Sequence, residues 1–259
     1  MPLRVLLTND DGFRSLGLNI LARELSKSAE CIIVAPETEK SGIGHAFSIY
    51  QPVFFYKTHE DPSGKTWVVK GTPSDCVKIG VTQVFKGRKP DMIFSGINLG
   101  DNSGISAHYS GTVAGAREGG LWGIPSAAVS LSSKTMGKES MEFAAKFARV
   151  ILAFMVKNRA RLKSTFLNVN FPPLSPKKIK GVKFTCQGTT MFQDNFDLRK
   201  TPIGTVYGWL RGEKDKRYFV KGSDDEALSK GYVSIVPLSI DNTDKDFLAD
   251  LKQIKIQKA

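Results

Sequence analysis

The chain has 259 residues, 24% of them charged and 41% hydrophobic, and a net charge of +12; this is the makeup of a globular protein with a substantial core, and it excludes a disordered chain. No apolar run approaches the roughly 20 residues a membrane helix requires, MPLRVLLTNDDG lacks the shape of a signal peptide, and the isolated Cys31, Cys76 and Cys186 exclude a disulfide framework or a thiolate zinc site, so a cytoplasmic protein with no membrane partner is expected. The charge is uneven: residues 1–133 hold 13 Lys/Arg against 12 Asp/Glu and residues 134–259 hold 24 against 13, a field that would steer a small anion or nucleic acid, or simply dress a solvated surface.

In chain order, Leu3 to Leu7 read as a buried strand, so Asp10 and Asp11 of TNDDG fall where that strand ends and a turn begins. A helix follows near Leu16–Ser26, a strand at Cys31–Ala35, a helix near Ser74–Phe85, a strand at Met92–Phe94, a helix near Thr112–Leu121 and a strand at Ala127–Val129. This β-α rhythm predicts an α/β fold with a mostly parallel sheet and helices on both faces. Ligands of such sheets bind outside the carboxyl ends of the strands. An amphipathic helix, Ser140–Lys157, closes this part, and Phe166–Phe171 (FLNVNF) is a strand ended by Pro172-Pro173. From Gly181 to Val236 the chain is rich in Thr, Gly, aromatics and charge, which predicts strands and hairpins, and a last helix is expected from about Asp244 to Gln253. The organisation expected is a catalytic part over 1–133 and a second part over 134–259.

Four segments place small or polar residues just after a predicted strand: TNDDG (8–12), APETEKSGIGHAFS (35–48), SGINLGDN (95–102) and AHYSGTVAGAREGG (107–120). Each alone is only a turn, but in a parallel sheet all four converge on one edge. Asp10, Asp11, Ser41 and Asn98 are hard oxygen donors, which suit Mg²⁺, Mn²⁺ or Ca²⁺ rather than zinc; equally, either aspartate could cap the helix near Leu16. Ser110-Gly111-Thr112 opens a helix and offers hydroxyls and N–H groups to an anion, or serves as a plain N-cap. Ser41-Gly42-Ile43-Gly44-His45 is a candidate anion-binding loop, although it matches neither the dinucleotide nor the triphosphatase glycine motif. Its flanking glycines make His45 a better catalytic candidate than His59 or His108. Gly71-Thr72-Pro73-Ser74-Asp75-Cys76 reads as a turn into a helix, capped by Ser74 or Asp75.

Taken together, LLTNDDG, the 41–45 loop, GTPSDCV (71–77), PDMIFSGINLGDN (90–102), YSGTVAGAREGG (109–120), GIPSAAVS (123–130) and SDDEALSKGYVSIVPL (223–238) resemble the SurE, or survival-protein-E, family of nucleotidases, in the right order over nearly the whole chain. The resemblance implies a Rossmann-like part followed by a smaller hairpin-rich part that exchanges elements between subunits, giving a homodimer or homotetramer. It implies a metal-dependent phosphomonoesterase acting on nucleoside 5′- and 3′-monophosphates, with polyphosphate as a further substrate. The metal ligands it implies are Asp10, Asp11, Ser41 and Asn98, with Mg²⁺ or Mn²⁺ favoured and Ca²⁺ an alternative occupant. The phosphate and substrate contacts are Ser110, Gly111 and Thr112, joined by Gly42 and Asn102; Asp10, Asp11 and His45 are the candidate catalytic residues. Thr38-Glu39-Lys40 is more acidic than the stretch associated with the family there. Phosphoester hydrolysis needs its oxygens neutralised and a nucleophile aligned. With both aspartates engaged as ligands, attack by water is favoured over an aspartyl-phosphate route. The competing function is a non-catalytic regulatory protein binding nucleotide or nucleic acid, but the dispersed Lys and Arg form no helix-turn-helix, zinc-finger or RNP pattern, and no specific nucleic acid is expected as a partner.

Overall fold

The computed structural model describes residues 2–61, 63–132, 137–252 and 254. Strand β1 (Arg4–Thr8) carries the apolar run Val5–Leu7, buried on both faces, as an inner strand of a parallel sheet must be. It is followed by α1 (Leu16–Leu25), β2 (Glu30–Pro36), β3 (Phe55–Lys57), β4 (Thr66–Val69) and α2 (Pro73–Ile79). Next come β5 (Met92–Leu99), the single turn α3 (Ser106–Tyr109), α4 (Gly111–Leu121), β6 (Ser126–Leu131) and the long α5 (Lys138–Lys157). The later elements are β7 (Thr165–Phe171), β8 (Val182–Phe184), β9 (Asn195–Lys200), β10 (Val206–Arg211), α6 (Asp224–Ser229), β11 (Val233–Ser239) and α7 (Lys245–Leu251).

Nine strands form one sheet in the order β3-β4-β2-β1-β5-β6-β7-β11-β8. All neighbours from β4 to β7 are parallel; β3 and β11 run antiparallel to β4 and β7, and β8 runs parallel to β11. The chain leaves β1 toward β2 and β4, then returns to add β5, β6 and β7 on the other side. The β1/β5 crevice is therefore the topological switch point, where ligands of such sheets bind.

One face of the sheet packs against α1 and α5. Met141, Ala144, Ala145, Ala148, Ile151, Leu152 and Met155 keep three- and four-residue spacing, so α5 lays one stripe on the core built around Leu7, Phe94, Val129 and Leu167. The other face carries α2 and α4, over Leu6, Val34 and Ile93 on one side and Ala128 and Phe166 on the other. The cap of α2 is Thr72, not Ser74 or Asp75: its hydroxyl accepts from the Asp75 amide while the Asp75 carboxylate accepts from the Thr72 amide, a capping box. The helix expected to run to Phe85 ends at Ile79 and continues as a π-helical turn, Gly80–Val84.

Two features of the second half differ from expectation. SDDEAL, inside the stretch predicted to hold only strands and hairpins, forms α6, with Ser223 as N-cap accepting from the Glu226 amide; the S-x-x-E capping signature was present in the sequence. β7, β11 and β8 also extend the same sheet as the first half. The 133/134 boundary lies outside the described residues, and the expected last helix is α7, whose far end at Gln253 lies outside them too. Only β9 and β10 leave the sheet, pairing with one another as an antiparallel ribbon.

Candidate active site

Asp10 lies two residues after the end of β1 and is only 7% exposed. Burial pushes its pKa above the ordinary carboxylate value, opposed by hydrogen bonds from the Thr112 hydroxyl and amide. The Thr112 Oγ1 to Asp10 Oδ1 distance is 2.5 Å, so this carboxylate rests on the first turn of α4, where unpaired amides favour an anion. Gly111 makes the approach geometrically feasible: a Cβ there would stand 2.8 Å from the Asp10 Cβ. Asp11, next along, is half-buried.

Across the switch point, Asn98 closes the carboxyl end of β5. Its Nδ2 donates to the Gly100 carbonyl at 3.1 Å, which leaves Oδ1 as the atom it can offer a ligand. Ser41 sits in the exposed loop after β2, where its hydroxyl donates to Glu39 Oε1. That loop is tied to the α3–α4 corner by the Gly44 amide donating to the Tyr109 carbonyl at 2.9 Å, and by His45 Nε2, 2.9 Å from Glu118 Oε2. Asp10, Ser41, Gly42, Asn98, Asn102 and Ser110 line one cleft of about 280 Å³, together with Tyr109 and Phe192.

The structure thus gathers six of the sequence-predicted residues on one surface. Gly111 and Thr112 lie directly behind it, bearing on Asp10. The Ser110 hydroxyl accepts from the Val113 amide at 3.1 Å as the N-cap of α4, so its position at the cleft and its capping role coexist. His45 is not among the lining residues; its ring is held by Glu118, a buried carboxylate that also accepts from Lys78 Nζ at 2.7 Å and Trp122 Nε1 at 3.0 Å. Burial raises the Glu118 pKa, but the bonds from His45 and Lys78 outweigh it and the net shift is downward.

Sequence reasoning missed Glu39, Glu118, Tyr109 and Phe192 as neighbours of the site. Glu118 stands in a motif-like stretch, AREGG, but nothing local shows that it points inward. Phe192 comes from the far hairpin region and no spacing connects it to residue 10. Among the described residues no cluster of three His, Cys, Asp or Glu forms a metal site. The donors gathered here, a carboxylate, a hydroxyl and an amide oxygen beside the half-buried Asp11, are all oxygen, the chemistry of a hard divalent cation. A buried carboxylate facing them fits such an ion.

The family model described as survival protein SurE matches residues 5–194. The chain belongs to the SurE family. A SurE-family protein of Syntrophus aciditrophicus, named 5'-nucleotidase SurE, is 44% identical over 254 residues, 97% of this chain and 94% of that protein. The 5'-nucleotidase SurE of Thermosipho melanesiensis is 40% identical over 99% of both chains. The crystal structure of the SurE protein from Aquifex aeolicus superposes with a TM-score of 0.83 at 35% identity, over 96% of this chain and 98% of that one. The α/β architecture is therefore shared with that structure over nearly the whole of both chains.

Proposed function

We propose that this SurE-family chain is a 5'-nucleotidase, a phosphoric monoester hydrolase that releases inorganic phosphate from nucleoside monophosphates in the cytoplasm. The observation that carries the reading is the convergence of Asp10, Ser41, Asn98 and Ser110, from four separate segments, on one cleft at the β1/β5 switch point. The chain's full-length similarity to proteins named 5'-nucleotidase supports it.

Asp10, Asp11, Ser41 and Asn98 would hold a divalent cation, Mg²⁺ or Mn²⁺ before Ca²⁺. Such an ion supplies charge neutralisation at phosphate oxygens and acidifies a water molecule. The chain supplies the rest. Thr112 fixes the Asp10 carboxylate by donating to Oδ1, and this bond favours the ionised form against the effect of burial. The start of α4 at Ser110-Gly111 presents its free donor capacity and dipole to the phosphate, with Gly42 of the facing loop closing over it. Tyr109 and Phe192 offer aromatic faces at the rim for the nucleoside. His45 is placed by Glu118 to hold the 41–45 loop, which positions Ser41.

Residues 1–133 supply the proposed ligands, and the later part, through the β9–β10 ribbon, supplies contacts between subunits of a homodimer or homotetramer. Phe196, Leu198, Tyr207, Trp209 and Leu210 lie exposed on that ribbon. So large an apolar surface on one chain is the usual mark of an interface. No helix among the described residues is long and apolar enough to cross a membrane.

The test is phosphate release from a panel of nucleoside 5'- and 3'-monophosphates and polyphosphate, after EDTA stripping and re-addition of Mg²⁺, Mn²⁺, Ca²⁺ or Zn²⁺. Turnover of the 5'-monophosphates that returns with Mg²⁺ or Mn²⁺ is expected. No release from any nucleotide with any of the four ions would overturn the reading.

A further inference from the structure

β7, an inner strand of the nine-stranded sheet between β6 and β11, carries two asparagines, Asn168 and Asn170, exposed by 1% and 0%. They alternate with Leu167, Val169 and Phe171, which enter the core under α1 and α5. The asparagines therefore share the opposite face with Phe166, which packs beneath α4. An apolar pair there would fill the same space without desolvating two amides.

What they bind is one residue. Asn168 Nδ2 donates to the backbone carbonyl of Asn102 at 2.8 Å, and Asn170 Oδ1 accepts from the backbone amide of Asn102 at 3.2 Å. Both main-chain groups of a cleft residue, 66 and 68 positions away, are thus held by side chains of a rigid central strand. Ser130, paired with Asn170 on the neighbouring β6, completes the arrangement: its Oγ accepts from the Asn102 Nδ2 at 2.8 Å. With its backbone held at both ends and its side-chain amide bonded to Ser130, Asn102 is fixed in one orientation, in which Nδ2 faces Ser130. Its carbonyl oxygen is the atom left for the cleft.

We propose that Asn168 and Asn170 are positioning residues that clamp Asn102 so that its side-chain oxygen, a hydrogen-bond acceptor, faces the reacting phosphate. An acceptor repels a phosphate oxyanion, so Asn102 does not bind the anion directly. It receives a hydrogen from a water molecule and fixes that water's orientation. The clamp thus acts on the rate of the chemical step more than on substrate capture. The inference rests on the phosphatase reading only for its kinetic consequence; the clamp itself has an independent readout.

The two positions differ in what they must supply, and this makes the test specific. Position 170 needs an acceptor and position 168 a donor. Asn170→Asp keeps the acceptor, Asn170→Leu removes it, and Asn168→Asp replaces the donor with an acceptor aimed at a carbonyl. For Asn168→Asp and Asn170→Leu, kcat on a nucleoside 5'-monophosphate is expected to fall about 10- to 100-fold, with KM and the inhibition constant of inorganic phosphate within about twofold of wild type. Asn170→Asp should retain kcat within about threefold. Ser130→Ala, which removes only a hydroxyl beside the clamp and should fold even if the β7 variants do not, is expected to show the same kcat loss without loss of phosphate affinity. Amide hydrogen exchange of residues 100–105, measured on the protein without substrate, should accelerate at least tenfold in Asn168→Asp and Asn170→Leu relative to Asn170→Asp. Unchanged exchange in the first two, or a kcat loss in Asn170→Asp and Asn170→Leu alike, would overturn the proposal. If the wild type turns over no phosphomonoester while the exchange pattern holds, the function fails and the clamp stands.

Discussion

Asp10 is a carboxylate kept from water and raised in pKa by its burial, and the sign of the effect fixes its consequence for stability. A carboxyl group whose folded-state pKa exceeds its unfolded value binds more protons in the native state, so it destabilises the fold as pH rises from the unfolded value through the folded one. Above the folded-state value and without metal, that cost is fully present. Asp10→Asn removes the charge but keeps an oxygen for Thr112. It should raise the melting temperature of the EDTA-treated protein by roughly 2–4 °C, what about 1 kcal/mol does for a chain of this size, while metal-dependent turnover disappears. Calorimetry with and without Mg²⁺ checks both, and a lowered melting temperature in EDTA would show that the carboxylate is comfortable where it is. Thr112→Val, which deletes a hydrogen bond that lowers the Asp10 pKa, should move the acid limb of the kcat/KM profile to higher pH. At this scale the sequence was informative: oxygen donors after successive strands placed Asp10, Ser41, Asn98 and Ser110 at one cleft. It could not show that the Thr112 hydroxyl turns toward Asp10, because a side chain's partner 102 positions away leaves no periodic trace.

The loop over residues 41–45 is held at its far end by His45 and Glu118. It has no secondary structure of its own, so its position depends on that anchor. Glu118 is ionised at neutral pH, with its pKa lowered by His45 and Lys78 against the effect of burial. This stabilisation is present above the unfolded carboxyl pKa and lost as pH falls through the lower folded one. Replacing it with alanine strands the Trp122 and Lys78 donors and should cost about 1–3 kcal/mol at neutral pH. His45→Ala is gentler: it frees the loop while leaving Lys78 paired. We expect it to raise the Mn²⁺ concentration for half-maximal activity by about tenfold, the scale of losses when a residue that orients a ligand is removed, with kcat at saturating metal changed less than threefold. A general acid or base at this position would instead lose kcat at every metal concentration. In the first half β1, α1, β2, β5, α4 and β6 were legible as short apolar runs alternating with helical spacing, whereas the short β3, β4 and α3 were not. α6 was not, because six residues give fewer than two turns in which to see a period, and only its cap betrayed it.

At the scale of the molecule, the ribbon leaves Phe196, Tyr207 and Trp209 exposed, and the proposed self-association makes a prediction. Sedimentation equilibrium at micromolar concentration should return a species of at least twice the 28.4 kDa of one chain. A 28.4 kDa species with full activity would mean that the exposed aromatics of β9 and β10 serve something other than self-association. The positive second half makes a separate prediction: if it steers anionic substrate, kcat/KM falls as ionic strength rises while kcat holds, and a flat kcat/KM in an encounter-limited enzyme leaves the charge as solvated surface. Composition revealed that a field existed, but not that β7 would pair with β6, β11 with β7 and β8 with β11 in the first half's sheet, since pairing between strands distant in sequence is decided by packing rather than by local pattern.

The excursion between β8 and α6 leaves and returns at one point: the Asp224 amide donates to the Cys186 carbonyl at 2.9 Å, and the Cys186 amide to the Gly222 carbonyl at 3.2 Å. A segment whose two ends already touch can be lengthened or trimmed with little effect on the rest, because doubling a flexible loop adds only about 0.6 kcal/mol to its closure. Within it, Phe192 lines the cleft and Lys214 pairs with buried Asp225, whereas residues 195–211 touch neither. If the ribbon carries the proposed subunit contacts, insertion or deletion within residues 195–211 would alter the assembly while the sheet and the cleft at its edge keep their structure.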